Sequence, residues 1–94
     1  MEKLMSLHVI VSGRVQGVGF RFFAQNTAKS MGLTGFVKNL YDGDVEIMAE
    51  GSQEVLSNFL ERIKKGPSFS TVTDTRVTWE EISIKKYNQF GIKF

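Results

Sequence analysis

The fold of this chain is decided by residues 11–21, which read VSGRVQGVGFR. A β-branched strand leads into a loop with three glycines, and the loop ends on Arg21, where a helix is expected to begin. Glycine lets successive backbone N–H groups turn toward one point, and a helix N-terminus adds partial positive charge there. The Arg21 guanidinium adds a planar fork of donors. The segment therefore predicts an oxyanion-binding loop, suited to phosphate.

Length and composition limit the class of protein. The 94 residues fit one domain, predicted to span residues 1–94 and to act as a monomer. The absence of cysteine excludes thiolate nucleophiles, cysteine-based metal sites and disulfides, and it fits a reducing compartment, so a cytoplasmic location is expected. No secretory signal is recognisable, and no apolar run approaches the roughly 20 residues that span a bilayer.

The charge distribution gives no reason to expect a nucleic-acid partner. The formal net charge is +2, and the basic residues are scattered except for pairs at 64–65 and 85–86. A nucleic-acid footprint normally appears as a dense basic stripe on one face. The mild positive charge suits a small anionic substrate equally well.

Hydrophobic periodicity and turn signals predict a ferredoxin-like α+β sandwich of βαββαβ order. Both helices are expected on one face of a mainly antiparallel, four- to five-stranded sheet, with Trp79 and the phenylalanines mostly in the core. The dipeptide Asp42-Gly43 predicts a two-residue hairpin turn. The predicted elements are a strand around 7–12, a helix over 21–31 ended by Gly32, strands over 35–41 and 44–50, a helix capped by Ser52 and stopped by Gly66, a strand over 72–84 and an edge strand over 91–94.

Two blocks of the sequence resemble the signatures of the acylphosphatase family. Residues 11–21 look like the first signature, in which the glycine loop ends on an essential arginine. Residues 35–39, GFVKN, followed by Gly43, Val45 and Gly51, are similar to the second, which carries an essential asparagine. The resemblance implies an enzyme that hydrolyses the carboxyl-phosphate bond of small acyl phosphates, with no metal and no cofactor.

The resemblance also assigns roles to single residues. It implies that Arg21 is the catalytic residue that binds phosphate and that Asn39 is the catalytic residue that orients water. Two departures from the family pattern, Phe22 where tyrosine is frequent and the bulky Phe69 in the connector, are expected not to touch this pair. The implied phosphate-binding loop comprises Val15, Gln16, Gly17, Val18, Gly19 and Phe20.

The chemistry of an acyl phosphate fits this set of residues. The departing carboxylate has a conjugate acid with a pKa of about 4, so no general acid is needed. Phosphoryl transfer needs neutralised phosphoryl oxygens and a water in line with the leaving oxygen. Arg21 and the loop amides suit the first task, and the carboxamide oxygen of Asn39 suits the second. No protein base is evident, so the water proton is expected to end on the substrate's phosphate.

Other kinds of site fit these residues less well. A dinucleotide fingerprint would need a glycine where Phe22 stands, and a tyrosine-phosphatase loop would need a cysteine. A phosphate-loop NTPase would need a Lys-Ser/Thr pair. His8 is interpreted as structural, and Arg14 as a solvated loop residue. The acidic residues at 42, 44 and 46 are interpreted as turn and surface residues rather than a cation site.

The alternative function is a non-catalytic RNA-binding or anion-binding module of the same fold. Residues 17–23, GVGFRFF, superficially resemble an aromatic RNA-binding motif. They are predicted to lie in a loop and a helix start, whereas RNA-recognition domains carry that motif on a central strand. The anion-binding alternative resembles the carbamoyl-phosphate-handling domains found at the front of larger maturation proteins.

Overall fold

The computed structural model describes residues 3–94 as two helices packed on one face of a five-stranded sheet. The predicted ferredoxin-like order is confirmed, and the fifth strand follows the βαββαβ core. The first two residues of the predicted domain lie outside the described residues. The elements are β1 (Leu4–Arg14), α1 (Phe20–Ser30), β2 (Thr34–Asn39), β3 (Val45–Ser52), α2 (Gln53–Lys65), β4 (Thr71–Glu81) and β5 (Phe90–Lys93).

The sheet has the strand order β4-β1-β3-β2-β5. All neighbouring strands are antiparallel except β2 and β5, which run parallel. Lys38 pairs with Lys93 in that parallel ladder, so Asn39 and Phe94, which follow them, lie at the same end of the sheet. This arrangement brings the end of the chain next to the end of β2.

Strand alternation places the core between the sheet and the helices. Leu7, Val9 and Val11 are fully buried, whereas the residues between them on β1 lie on the face that no helix covers. The helices contribute apolar stripes at helical spacing. The buried helical residues are Phe20, Ala24, Thr27 and Ala28 of α1 and Leu56, Phe59, Leu60 and Ile63 of α2.

The phenylalanines divide between core and surface, which corrects the prediction that they lie mostly in the core. The reason is clear in α1, whose buried stripe includes Phe20 but leaves Phe22 on another side of the helix. Trp79 on the edge strand β4 is half-buried. Phe20, Phe59 and Phe90 are buried, and Phe22, Phe69 and Phe94 are exposed by 66%, 81% and 96%.

Both helices begin and end close to the predicted residues. Ser52 caps α2 as predicted, because its Oγ accepts a hydrogen bond of 3.3 Å from the Val55 N–H. At the end of α1, the Gly32 N–H donates to the Lys29 carbonyl and the Leu33 N–H donates to the Ala28 carbonyl. These two bonds form a Schellman motif, which turns the chain from α1 into β2.

The turn between β2 and β3 differs from the predicted two-residue turn. The Gly43 N–H donates to the Leu40 carbonyl, so the tight turn centres on Tyr41 and Asp42, one residue earlier than predicted. A two-residue turn centred on Asp42-Gly43 would need positive φ at both positions, but among the described residues only glycines have positive φ. Gly43 alone takes that conformation, with φ of 99°.

A buried carboxylate fastens the connector that leads into β5. Glu50 is 2% exposed, and its oxygens accept hydrogen bonds from the Thr34 hydroxyl at 2.9 Å and the backbone N–H groups of Lys86 and Tyr87 at 2.8 and 3.2 Å. Three donors compensate the carboxylate for its loss of hydration. Glu50 therefore helps to place β5 against β2.

We expect Glu50→Ala to lower the free energy of unfolding by about 2 to 4 kcal/mol, because three donors lose a charged acceptor. Glu80→Ala is the matched control, since Glu80 lies exposed on β4, and it is expected to change stability by less than about 0.5 kcal/mol. Urea denaturation with a common m-value measures both changes. Equal stability of the two variants would contradict the anchoring role of Glu50.

Candidate active site

A pocket of about 210 Å³ lies where the loop after β1 meets the ends of β2 and β5. Six of the eight predicted site residues line it: Val15, Gly17, Gly19, Phe20, Arg21 and Asn39. Phe22, Ile92 and Phe94 complete the lining. Arg21 and Asn39, 18 positions apart in the sequence, therefore share one pocket.

Gln16 and Val18 do not line this pocket. Val18 packs against the hydrophobic core. The side-chain amide of Gln16 donates to the backbone carbonyls of Leu40 and Asp44, at 2.8 Å each. Because the Gln16 side chain is bonded to the β2–β3 turn, only its backbone remains as a candidate contact to phosphate.

The loop enters α1 with free backbone donors. Gly17 and Gly19 have φ of 75° and 76°, a left-handed conformation that favours glycine. The first helical hydrogen bond runs from the Phe23 N–H to the Gly19 carbonyl, and no side chain caps the helix. The N–H groups of residues 20–22 therefore have no intrahelical acceptor. With no acidic residue in the first turn, this helix start is suited to an anion.

Arg21 supplies the positive charge of the pocket. Its guanidinium carbon lies 5.0 Å from the centroid of the Phe94 ring, a distance that allows a cation–π interaction. Among the ion pairs of residues 3–94, none involves Arg21. Its donors are therefore available to an anion, and the Phe94 ring is its aromatic neighbour in the pocket.

Asn39 carries the one buried side-chain polar atom of the described residues that has no hydrogen-bond partner, its Oδ1. A buried acceptor without a partner costs about 1 to 3 kcal/mol, and such groups in native proteins usually have a functional explanation. Asn39 pairs with Val45 at the end of β2 and contributes to the pocket lining. Asn39, whose Oδ1 has no partner within residues 3–94, thus lines the same pocket as Arg21.

Three lining residues were not predicted as part of the site. Phe22 lines the same pocket as Arg21 and Asn39, a position that the sequence did not indicate. Ile92 and Phe94 reach the pocket because β5 runs parallel to β2. A short terminal apolar segment predicts an edge strand, but no local signal indicates which strand it joins or in which direction.

The acidic and histidine side chains of the hairpin region have other partners. His8 Nε2 lies 2.8 Å from Glu46 Oε2 on the sheet face that no helix covers. Asp42 Oδ1 accepts from the Asp44 N–H at 3.0 Å within the turn. Within residues 3–94, no group of three or more His, Cys, Asp or Glu side chains is placed to hold a metal ion.

Comparisons with known proteins identify the family of this chain. The family model for acylphosphatase matches residues 7–92. The chain belongs to the acylphosphatase family. The acylphosphatase of Bacillus subtilis is 47% identical over 91 residues, which cover 97% of this chain and 99% of that one. The acylphosphatase of Thermus thermophilus is 46% identical over 91 residues, which cover 96% of this chain and 100% of that one.

Solved acylphosphatase structures share the whole fold. The Bacillus subtilis acylphosphatase superposes with a TM-score of 0.91 at 47% identity, covering 96% of this chain and 99% of that chain. An acylphosphatase from Coxiella burnetii gives a TM-score of 0.85 at 40% identity, covering 97% of this chain and 94% of that chain. Full-length HypF in a phosphate- and nucleotide-bound form gives 0.86 at 32% identity, covering 100% of this chain but 12% of that chain.

We expect Phe94→Ala to weaken the binding of inorganic phosphate about two- to five-fold, because an exposed cation–π contact is worth about 0.5 to 1 kcal/mol. Phe69→Ala removes a similarly exposed ring outside the pocket and is expected to leave the affinity unchanged. Calorimetric titration with phosphate measures both dissociation constants. An unchanged dissociation constant for phosphate in Phe94→Ala would show that the Phe94 ring does not hold Arg21 in a position to bind phosphate.

Proposed function

We propose that this pocket hydrolyses the carboxyl-phosphate anhydride bond of small acyl phosphates, with Arg21 and Asn39 as the catalytic residues. The activity itself follows from the family, since curated acylphosphatases are 41% to 47% identical to this chain over 91 residues. The proposal for the mechanism rests on one observation. Asn39, whose Oδ1 is a buried acceptor without a partner, lines the same pocket as Arg21 and the uncapped start of α1.

In the proposed complex, the phosphoryl group occupies the space beside the helix start. Free N–H groups of residues 17–22 donate to its oxygens, and the Arg21 fork neutralises much of its negative charge. The loop amides are held by the backbone before substrate arrives, so little reorganisation of these donors is needed as charge develops during phosphoryl transfer. In this proposal, one wall of the pocket, formed by Arg21 and the start of α1, both binds the phosphoryl group and stabilises the charge that develops on it.

A second part of the pocket wall, at Asn39, orients the nucleophile in this proposal. The Asn39 Oδ1 accepts a hydrogen bond from a water molecule and directs its oxygen toward phosphorus, in line with the acyl oxygen. A P–O bond forms to the water oxygen while the bond to the acyl oxygen breaks, and the acyl group leaves as a carboxylate. The proton released by the water passes to a phosphoryl oxygen, so the products are a carboxylate and inorganic phosphate. No protein acid or base and no metal ion takes part in this scheme.

We expect Asn39→Ala and Arg21→Ala each to lose activity by on the order of 10²-fold or more, by analogy with the removal of one oxyanion-stabilising donor. Asn39→Ala is also expected to unfold no more easily than the wild type, because the substitution removes an unsatisfied buried oxygen. Hydrolysis of benzoyl phosphate in the presence of EDTA measures activity, and urea denaturation measures stability.

Two exposed residues of α2 provide matched controls, Asn58→Ala for Asn39 and Arg62→Ala for Arg21, and both are expected to retain full activity. A wild-type protein that binds phosphate but hydrolyses no acyl phosphate would favour the anion-binding alternative. A marked loss of stability in Asn39→Ala would indicate that the side chain holds the fold rather than a water molecule.

We also propose that residues 1–94 form one domain that works as a monomer in the cytoplasm and binds no nucleic acid. The match of the family model over residues 7–92 supports one domain, and the lack of cysteine supports a reducing compartment. The RNA-like residues 17–23 lie in the pocket loop and the first turn of α1, away from the central strands, which argues against a role in base stacking.

Light scattering at micromolar concentration is expected to give the mass of one chain, 10.6 kDa, and a fluorescent single-stranded RNA is expected to show no salt-sensitive binding. A dimer mass would contradict the monomer. RNA binding that phosphate does not displace would revive the alternative function.

A further inference from the structure

We propose that Gln16 is a positioning residue for hydrolysis, whose side-chain amide sets the distance between the phosphate-binding loop and Asn39. The inference rests on the proposed function, because it concerns the alignment of the two walls of that site. It differs from the sequence prediction, which placed Gln16 among the residues that bind phosphate.

The evidence is a pair of hydrogen bonds between segments far apart in the sequence. The Gln16 Nε2 donates to the carbonyl oxygens of Leu40 and Asp44, at 2.8 Å each. A side-chain amide has two N–H donors, and both are used here. Gln16 directly precedes Gly17 of the loop, and Leu40 directly follows Asn39. The Gln16 side chain thus connects the phosphate-binding loop to the residue that follows Asn39.

The acceptors belong to the closed end of the β2–β3 hairpin, which makes the attachment firm. The Leu40 carbonyl also accepts from the Gly43 N–H, and the Asp44 carbonyl also accepts from the Leu40 N–H. Gln16 therefore binds to both sides of a hydrogen-bonded turn rather than to a free loop. Among the hydrogen bonds of residues 3–94, no other joins residues 15–19 to residues 39–45.

This attachment matters for the chemistry because the two walls of the pocket have separate tasks. Arg21 and the helix start face the phosphoryl group, whereas Asn39 orients the water. A displacement of about 1 Å between reacting groups costs roughly 10²-fold in rate. In the proposed scheme, phosphate affinity depends on Arg21 and the helix start. Loss of the Gln16 bonds is therefore expected to lower the turnover rate while affecting phosphate binding little.

The test compares Gln16→Met, which keeps the length of the side chain without donors, with Gln16→Glu, which places a carboxylate against two carbonyl oxygens. We expect kcat for benzoyl phosphate to fall about 10- to 100-fold in Gln16→Met and further in Gln16→Glu. The inhibition constant of inorganic phosphate in Gln16→Met is expected to stay within about three-fold of the wild type, because Arg21 and the loop amides remain.

Gln53→Met is the control, since Gln53 lies exposed in the first turn of α2, and it is expected to keep wild-type kcat and phosphate inhibition. A kcat of Gln16→Met equal to that of the control would overturn the proposal. Parallel losses in kcat and phosphate affinity would also overturn it, because they would indicate a general collapse of the pocket.

A measurement on the unaltered protein keeps the proposal testable if the variants do not fold. In NMR hydrogen exchange, the side-chain amide protons of Gln16 are expected to exchange more slowly than those of the exposed Gln53. The reason is that each of the two Gln16 protons is bonded to a backbone carbonyl oxygen. Equal exchange rates would show that the attachment is absent in solution.

The failure of the proposed function and the failure of this inference give different results. If the wild type hydrolyses no acyl phosphate, the proposed function fails. If the wild type and Gln16→Met are equally active, only the role of Gln16 is refuted.

Discussion

The register of the strands at one end of the sheet is the constraint on which the site depends. Asn39 pairs with Val45 of β3, and the residue before it pairs with Lys93 of the parallel strand β5. Side chains alternate between the two faces of a strand, so a shift of β2 by one residue would move Asn39 to the face without helices. Burial of Val37 and Ile47 against the helices opposes such a shift. Core packing thus also fixes the position of Asn39 at the pocket.

The two helix starts show how the chain separates stability from function. The start of α2 is satisfied locally, by the Ser52 hydroxyl and by Glu54 in its first turn. The start of α1 has neither a side-chain cap nor an acidic residue, and its first residues line the same pocket as Asn39, whose Oδ1 is unpaired. Unsatisfied groups destabilise a fold, so proteins concentrate them where a ligand compensates them. Here such groups converge on the pocket that contains Arg21.

Much of the fold and the central pair of the site could be predicted because their signals are local or belong to long motifs. The alternation in β1, the cap at Ser52 and the helix end at Gly32 each depend on residues within a few positions of one another. Arg21 and Asn39 were selected as candidates because each closes a recognisable block of sequence, and both line the pocket. The exact hairpin turn was missed, since the same dipeptide serves two turn types and the pairing of the flanking strands decides between them.

The sequence by itself determined the order of the elements, the glycine-rich loop before α1 and the choice of one arginine and one asparagine as candidate site residues. Only the tertiary structure decided that β5 runs parallel to β2, that the Phe94 ring lies against the Arg21 guanidinium and that the Gln16 amide binds the neighbouring turn. The physical reason is the distance along the chain. These contacts join residues at least 24 positions apart, and their partners are selected by how the core packs rather than by any local preference.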